Sequence, residues 1–257
     1  MTRRIGLAAL TVLELAPQEQ ISVAAQAGYD FVGLRLIPVS GQPHQHKVDV
    51  AAIEQRLAAS GMKVLDVEVF RLDPETQVAD YEPMLATAAR LSATDLLVHG
   101  ADPDHARLAD NWGRLCDLAE RYGLAANMEP MPWVEVSTIA EANRILELAP
   151  RDNAAVLPDA IHFFREANWL EDLASTRIRY VQFCDARRET PASMNEIRRQ
   201  AREDRLMPGE GGLDLRGLLA ALPEDLPLCL EIPYAQPMPA LKRARLALSK
   251  TRELLAQ

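Results

Sequence analysis

The chain has 257 residues, 48% hydrophobic and 25% charged, with a formal net charge of −9; this is ordinary globular composition, long enough for one sizeable core. An acidic surface repels phosphate backbones, which argues against nucleic acid as a partner unless a strong basic patch exists. No apolar stretch reaches the roughly 20 residues of a membrane span, and the arginine-led start MTRRIGLAALTVLELAP is interrupted by Glu14 with no small-residue cleavage site after it, so a cytoplasmic protein without a membrane partner is expected.

Short apolar runs alternate with amphipathic stretches along the chain. IGLAAL at 5–10 precedes a helical pattern ending at Gly28, and FVGLRL at 31–36 precedes a helix with Asp49 as N-cap and Gly61 as stop. KVLDVEVFRL at 63–72 reads as a strand, followed by a helix over about 80–91. DLLVHGA at 95–101 is followed by a helix reaching Gly123. LAANMEPMP at 124–132 leads to a helix opened by Thr138, with Glu141 placed for a capping box. NAAVLPDA at 153–160 precedes a short helix near 168–174. IRYVQFCDA at 178–186 precedes a long polar excursion and LDLRGLLAAL, and LPLCLEIPY at 226–234 precedes a terminal helix from about Met238. Eight strand–helix units of about thirty residues imply a parallel sheet closed into a (β/α)8 TIM barrel, an α/β fold, in one domain over 1–257. A doubly wound open sheet fits less well, because no glycine-rich phosphate loop follows the first strand. Cys116, Cys184 and Cys229 lack metal-type spacing and read as buried free thiols. The densest basic stretch, EIRRQAREDR at 196–205, interleaves acids with arginines. It reads as a solvated helix face, with one arginine a candidate for an anionic substrate.

Strand alternation sets which side chains enter the barrel. With Leu65, Val67 and Val69 turned toward the helices, Asp66 and Glu68 face inward. The same rule turns Arg35, His99, Glu129, Asp159, Gln182 and Glu231 inward. The last four sit near the C-terminal ends of successive strands, the rim where barrel active sites lie. Three carboxylates and an amide without balancing lysines repel one another, and a divalent cation relieves this. An oxygen-dominated set favours Mg²⁺ or Mn²⁺ over Zn²⁺. Glu68 and His99 line the pocket or form a buried polar pair; Arg35 is a candidate for a substrate carboxylate or phosphate, and Trp133 for an apolar wall.

At these residues the chain resembles the xylose isomerase-like TIM-barrel superfamily, in its sugar phosphate isomerase/epimerase branch. The signature there is a strand-end Glu, Asp, His and Glu on one divalent metal, which fall here on Glu129, Asp159, Gln182 and Glu231. Further offsets place Glu135 six residues after the first ligand, His162 three after the aspartate and Arg188 six after the third, and PGEGGLDL at 208–215 is similar to the family's GEG loop. The resemblance implies a metal-dependent isomerase or epimerase of a small, sugar-like polyhydroxy ketone or keto acid. Glu129 and Glu231 would be both ligands and proton-transfer bases, an enediolate the intermediate, and Mn²⁺ or Mg²⁺ the metal, with Co²⁺ or Zn²⁺ as alternatives. His162 and Arg188 would hold substrate oxygens, and Glu135 would position His162 or a substrate hydroxyl. Glutamine in the histidine position departs from the signature. Bacterial 3-dehydroshikimate dehydratases of the superfamily look similar in accepting it, so a dehydratase is the alternative activity, and a non-catalytic sugar- or metal-binding barrel the third reading. Five histidines in all, with an acidic surface, argue against the superfamily's three-zinc endonuclease branch. The sequence leaves the oligomeric state open, a homo-oligomer included.

Overall fold

Helix stops and caps divide the chain where the sequence places them. In the computed structural model, which describes residues 3–39 and 44–257, Asp49 caps α2 (Val50–Ser60) by accepting from the Ala52 amide, and Gly61 ends it at φ 69°. Gly28 ends α1 (Pro17–Ala27) at φ 88°. Such left-handed positions favour glycine, which has no Cβ to clash. Thr138 and Glu141 form the expected capping box of α5 (Ile139–Leu148).

The strands are β1 (Ile5–Leu7), β2 (Phe31–Arg35), β3 (Lys63–Leu72), β4 (Asp95–Gly100), β5 (Ala125–Met128), β6 (Ala154–Val156), β7 (Val181–Phe183) and β8 (Leu228–Leu230). They form one parallel sheet ordered β6-β5-β4-β3-β2-β1-β8-β7. Parallel bridges Val156↔Ile178 and Asp159↔Gln182 join its two ends, with the Gln182 amide donating to the Pro158 carbonyl at 3.0 Å. The sheet therefore closes into a (β/α)8 barrel, and the closing seam sets Asp159 beside Gln182. The remaining helices are α3 (Glu82–Arg90), α4 (His105–Glu120), α6 (Ala160–Phe163), α7 (Met194–Glu203), α8 (Leu215–Ala220) and α9 (Ala240–Leu255). The expected helix near 168–174 is a 3-10 segment, Leu170–Ser175, and the polar excursion after β7 contains α7. No helix among the described residues is long and apolar enough to cross a membrane.

Two apolar layers sandwich the sheet. The larger, including Leu34, Val67, Leu96, Met128, Phe183 and Ile232, lies between strands and helices. The smaller, inside the barrel, is built on Ala8, Val69, Leu97, Leu157, Tyr180 and Cys229, with Leu65 and Val39 packed against it. Leu65 and Val69 thus belong to the interior rather than the helix side. Strand β3 departs from strict alternation, with register shifts against β2 and against β4. An extra residue opposite its partner reverses which side chains point inward. Gly33 makes room for this: a Cβ there would come within 2.3 Å of the Asp66 carboxylate. Asp66 accepts from the Tyr180 hydroxyl at 2.6 Å, and Asn127 donates to Asp95 at 3.0 Å. These buried polar groups form the barrel floor, beneath the apolar inner layer. The three cysteines are free and buried.

Candidate active site

The rim residues come from strand ends whose backbones are tied into the barrel. The Glu129 amide, directly after β5, donates to Val98 at 2.9 Å, and the Glu231 amide, directly after β8, donates to Phe183 at 3.2 Å. Asp159 caps α6, accepting from the Ile161 amide at 2.9 Å. The single turn that follows brings His162 Nε2 to 4.0 Å from the Asp159 carboxylate and 3.7 Å from Glu129 Oε1. His99, near the end of β4, has Nε2 2.7 Å from Glu129 Oε2. Trp133 stands edge-on to His162, ring centroids 4.9 Å apart. Gln182 donates its amide to Glu231 Oε1 at 3.0 Å.

A residue that sequence reasoning did not place holds this cluster together. Arg205 is 1% exposed. Its Nη1 lies 2.6 Å from Asp159 Oδ2 and its Nη2 2.7 Å from Glu231 Oε2, while Nε donates to the Ala201 carbonyl at 2.6 Å. After α7 the chain returns to the barrel: Leu206 pairs antiparallel with Asp185 just past β7, and the Arg205 amide donates to Pro233. The PGEG loop follows, its Gly209 and Gly211 amides both donating to the Asp185 carboxylate at 3.0 Å.

A cavity of about 350 Å³ opens over these groups, lined by Arg35, Glu68, His99, Glu129, His162 and Glu231, with Trp133 on its wall and Arg71, Arg202 and Arg205 as further cations. Arg35 pairs with Glu68 at 2.9 Å. Asp159 and Gln182 are buried below the lining, in contact with Arg205 and Glu231. The structure does not bring Arg188 or Glu135 to the cavity. Both are exposed, and Arg188 lies against Gly212. The chain leaves the rim soon after β7: Arg187 and Arg188 are exposed, and Leu206, beyond α7, is the residue that returns to pair with Asp185. Arg205 fills the cationic place instead, from within the basic stretch 196–205.

Burial raises the Glu129 carboxyl well above its usual range, and the negative charges of Glu231 and Asp159 raise it further. Burial also pushes Glu231 up, to about 8, with Arg205 pulling the other way. For Asp159 burial is the largest influence, but Arg205, His162 and the Ile161 amide together hold it below the usual value. Arg205 serves two carboxylates, and Asp159 also accepts the Ile161 amide. Burial lowers His162 to about 4 and His99 well below its ordinary value, so both imidazoles are neutral at pH 7. With the carboxylates ionised, three negative charges face one guanidinium, leaving two uncompensated.

The donor set fits a divalent ion. Ligand atoms of Glu129, Asp159 and His162 lie within 4.8 Å of one another. Gln182 Oε1 and His162 Nδ1 are buried with no hydrogen-bond partner, a costly state for a polar atom. Turning the Gln182 amide would present that oxygen, and a double charge would balance the carboxylates.

A closed (β/α)8 barrel with carboxylates, imidazoles and an amide gathered at the C-terminal rim defines a TIM barrel with a polar rim pocket. The family model for xylose isomerase-like TIM barrels matches residues 21–254, and the chain belongs to that family. A 3-dehydroshikimate dehydratase from Pseudomonas aeruginosa is 25% identical over 222 residues, covering 79% of this chain and 33% of the dehydratase. An inosose isomerase from Bacillus subtilis is 31% identical over 114 residues, covering 43% of this chain and 39% of the isomerase. The chain thus spans well under two thirds of either relative. The crystal structure of the IolI protein with a zinc atom superposes with a TM-score of 0.81 at 19% identity, over 98% of both chains, a likeness of fold.

Proposed function

We propose that this chain is a divalent-metal-dependent enzyme that takes a proton from the carbon beside the carbonyl of a small polyhydroxylated ketone and then expels the β-hydroxyl as water. The observation that carries this reading is the asymmetry of the two rim glutamates. Both oxygens of Glu231 are engaged, Oε1 by Gln182 at 3.0 Å and Oε2 by Arg205 at 2.7 Å. Glu129 Oε2 is held by His99 at 2.7 Å, while its Oε1 has nothing nearer than His162 at 3.7 Å among the groups that pair with it. Glu129 is therefore the freer base.

A divalent ion held by Glu129, Asp159, Gln182 and Glu231 would supply stabilisation of the negative charge that develops on the carbonyl oxygen. The remaining work falls to the chain. Burial raises Glu129's proton affinity, which suits a group that must accept a proton from carbon. The same carboxyl can then deliver that proton to the departing hydroxyl on the same face. The C–H and C–O bonds break, a C=C bond forms in conjugation with the carbonyl, and water leaves. His99 fixes the Glu129 carboxylate, and His162, steadied by the Trp133 ring, faces the substrate oxygens. The dehydratase relative, which covers the larger share of the chain, supports elimination.

Isomerisation or epimerisation is the second reading. It needs a proton returned on the opposite face or at a neighbouring carbon, and Glu231, pushed up to about 8, is the group that can do it. The inosose isomerase relatives support it. The test is a panel of cyclic and linear polyhydroxy ketones incubated with Mn²⁺ or Mg²⁺ and read by mass and ultraviolet absorbance. A product lighter by one water and newly absorbing supports elimination. An isomer of unchanged mass supports the second reading. No conversion of any member, with metal bound, overturns the enzymatic assignment in favour of a binding barrel.

A further inference from the structure

The cations of the cavity are not all balanced. Arg35 is paired with Glu68, and Arg205 with Asp159 and Glu231. Arg71, at the end of β3, pairs among the described residues with Asp73 alone, at 3.5 Å, both side chains in contact with solvent. Arg202, half-buried in the last turn of α7, has no carboxylate partner among the described residues; its guanidinium lies over the Trp133 ring, 5.7 Å from the centroid. Arg198 stacks on the same ring at 5.9 Å, and its Nε is buried without a partner. Arg71 and Arg202 thus line one cavity from different elements, with positive charge that no acid of the cavity neutralises. Their mutual repulsion, together with that of Arg198 and Arg35, adds to burial in lowering Arg202's hold on its proton. Such an arrangement is unfavourable when empty and favourable around an anion.

We propose that the substrate carries a carboxylate, held by Arg202 and Arg71, while its ketone end lies at Glu129. This rests on the reading of the cavity as the site of ketone chemistry and names the class of ketone: a hydroxylated keto acid rather than a neutral sugar. The Trp133 face holds the Arg202 fork in place, and a guanidinium fork matches a carboxylate edge with two parallel hydrogen bonds. A phosphate fits the cavity less well. Phosphates are cradled by backbone amides of glycine-rich turns and helix N-termini; the lining has no glycine among the described residues, and α7 offers the cavity side chains of its last turn rather than N-terminal amides.

The test is equilibrium binding by calorimetry to the Mn²⁺-loaded protein, with three probes. One is a polyhydroxylated cyclohexanecarboxylate, the second inositol, and the third an inositol monophosphate. The carboxylate should bind at least about tenfold more tightly than the neutral ring, the order expected of a charge-assisted hydrogen-bonded pair. Arg202→Gln and Arg71→Gln should each erase most of that preference, changing inositol affinity far less than carboxylate affinity, and should not lower the melting temperature, since each removes one of two mutually repelling charges. Equal affinity for acid and neutral ring, a preference for the phosphate, or a carboxylate preference that survives both substitutions overturns the proposal. Because the readout is affinity rather than turnover, it separates the two claims. Carboxylate selectivity without conversion of any ketone would sink the proposed chemistry and leave the anion subsite standing, and conversion of neutral ketones without selectivity would do the reverse.

Discussion

Replacing Arg205 by methionine keeps the length of the side chain and removes its charge. The guanidinium is almost fully buried between Asp159 and Glu231, at 2.6 and 2.7 Å. Arg205→Met therefore leaves Glu129, Asp159 and Glu231 buried together with no cation among them. Removing one partner of a buried ion pair costs about 3–5 kcal/mol, and in a chain of this size each kcal/mol moves the melting temperature by roughly 2–4 °C. The metal-free variant should melt about 6–20 °C below the parent at pH 7. The deficit should shrink toward pH 4, because without the guanidinium that helps to hold it below the usual value Asp159 takes up a proton in the folded variant while it stays ionised in the parent. Mn²⁺ at about a hundredfold its dissociation constant contributes about 2.7 kcal/mol by linkage. Its melting gain should be larger in the variant, because the ion enters a cage with one more uncompensated negative charge. Scanning calorimetry in chelator and in Mn²⁺, at pH 4 and pH 7, measures all of this. A variant that melts within a degree or two of the parent at pH 7, or gains no more from Mn²⁺, would refute the view of Arg205 as the cation of this cage.

At Gln182, substitution by histidine should retain metal binding and move preference toward Zn²⁺ or Co²⁺, since imidazole suits those ions, whereas Gln182→Leu should weaken every ion; affinities unchanged in both, by competition with a fluorescent chelator, would mean that the amide is no ligand. Burial, with Glu68 beside it, raises Asp66 from 3.8 to about 8, so the folded chain keeps a proton there that the unfolded chain has released above about pH 4. Its contribution to stability is complete at low pH and is lost as pH rises through 8, with a slope of at most about 1.4 kcal/mol per pH unit. Urea titrations from pH 5 to pH 8 should find that Asp66→Asn flattens this decline, and parallel profiles for the two proteins would count against it. Arg188→Ala and Glu135→Gln, both at exposed positions, should leave metal affinity and turnover within about twofold of the parent, and a tenfold loss in either would return that residue to the site.

Strand order and the four rim residues were legible because alternation is a local property. An apolar neighbour on each side of Glu129, Asp159, Gln182 and Glu231 leaves only the barrel axis for the polar side chain. The same rule failed for Leu65 and Val69, where β3 shifts register against both neighbours. A bulge adds a residue without changing the composition on which the pattern is read. His162 was placed by the resemblance, three residues after Asp159, and the single helical turn of α6 keeps that short offset close in space. Glu135 and Arg188 were placed by counting along connections, and connections of different length end in different places. Arg205 lay inside a stretch whose interleaved acids suggested solvent exposure, and most of it is a helix with an exposed face. Its burial comes from the return of the chain beside β7, a long-range pairing that no local pattern encodes. Arg71 was hidden for a similar reason, as an ordinary arginine near a strand end; Arg202 lies in the 196–205 stretch, one arginine of which was a candidate for an anionic substrate, but local pattern did not say which one, and only the barrel brings the two to one cavity.

The claim at the centre of this account is that Glu129 takes a proton from carbon in this cavity. Isotope exchange in D₂O measures that step whatever follows it. With Mn²⁺ bound and a converting polyhydroxy ketone present, deuterium should enter an isomerised product or recovered substrate at the carbon beside the carbonyl, or proton loss from a substrate deuterated at that carbon should accompany dehydration. Glu129→Gln keeps an oxygen near the metal position and removes the base, so exchange and conversion should fall together by about 10²–10⁴, the range of general-base catalysis. Proton transfer that persists at the parent rate in Glu129→Gln, with metal shown to be bound, would contradict the account.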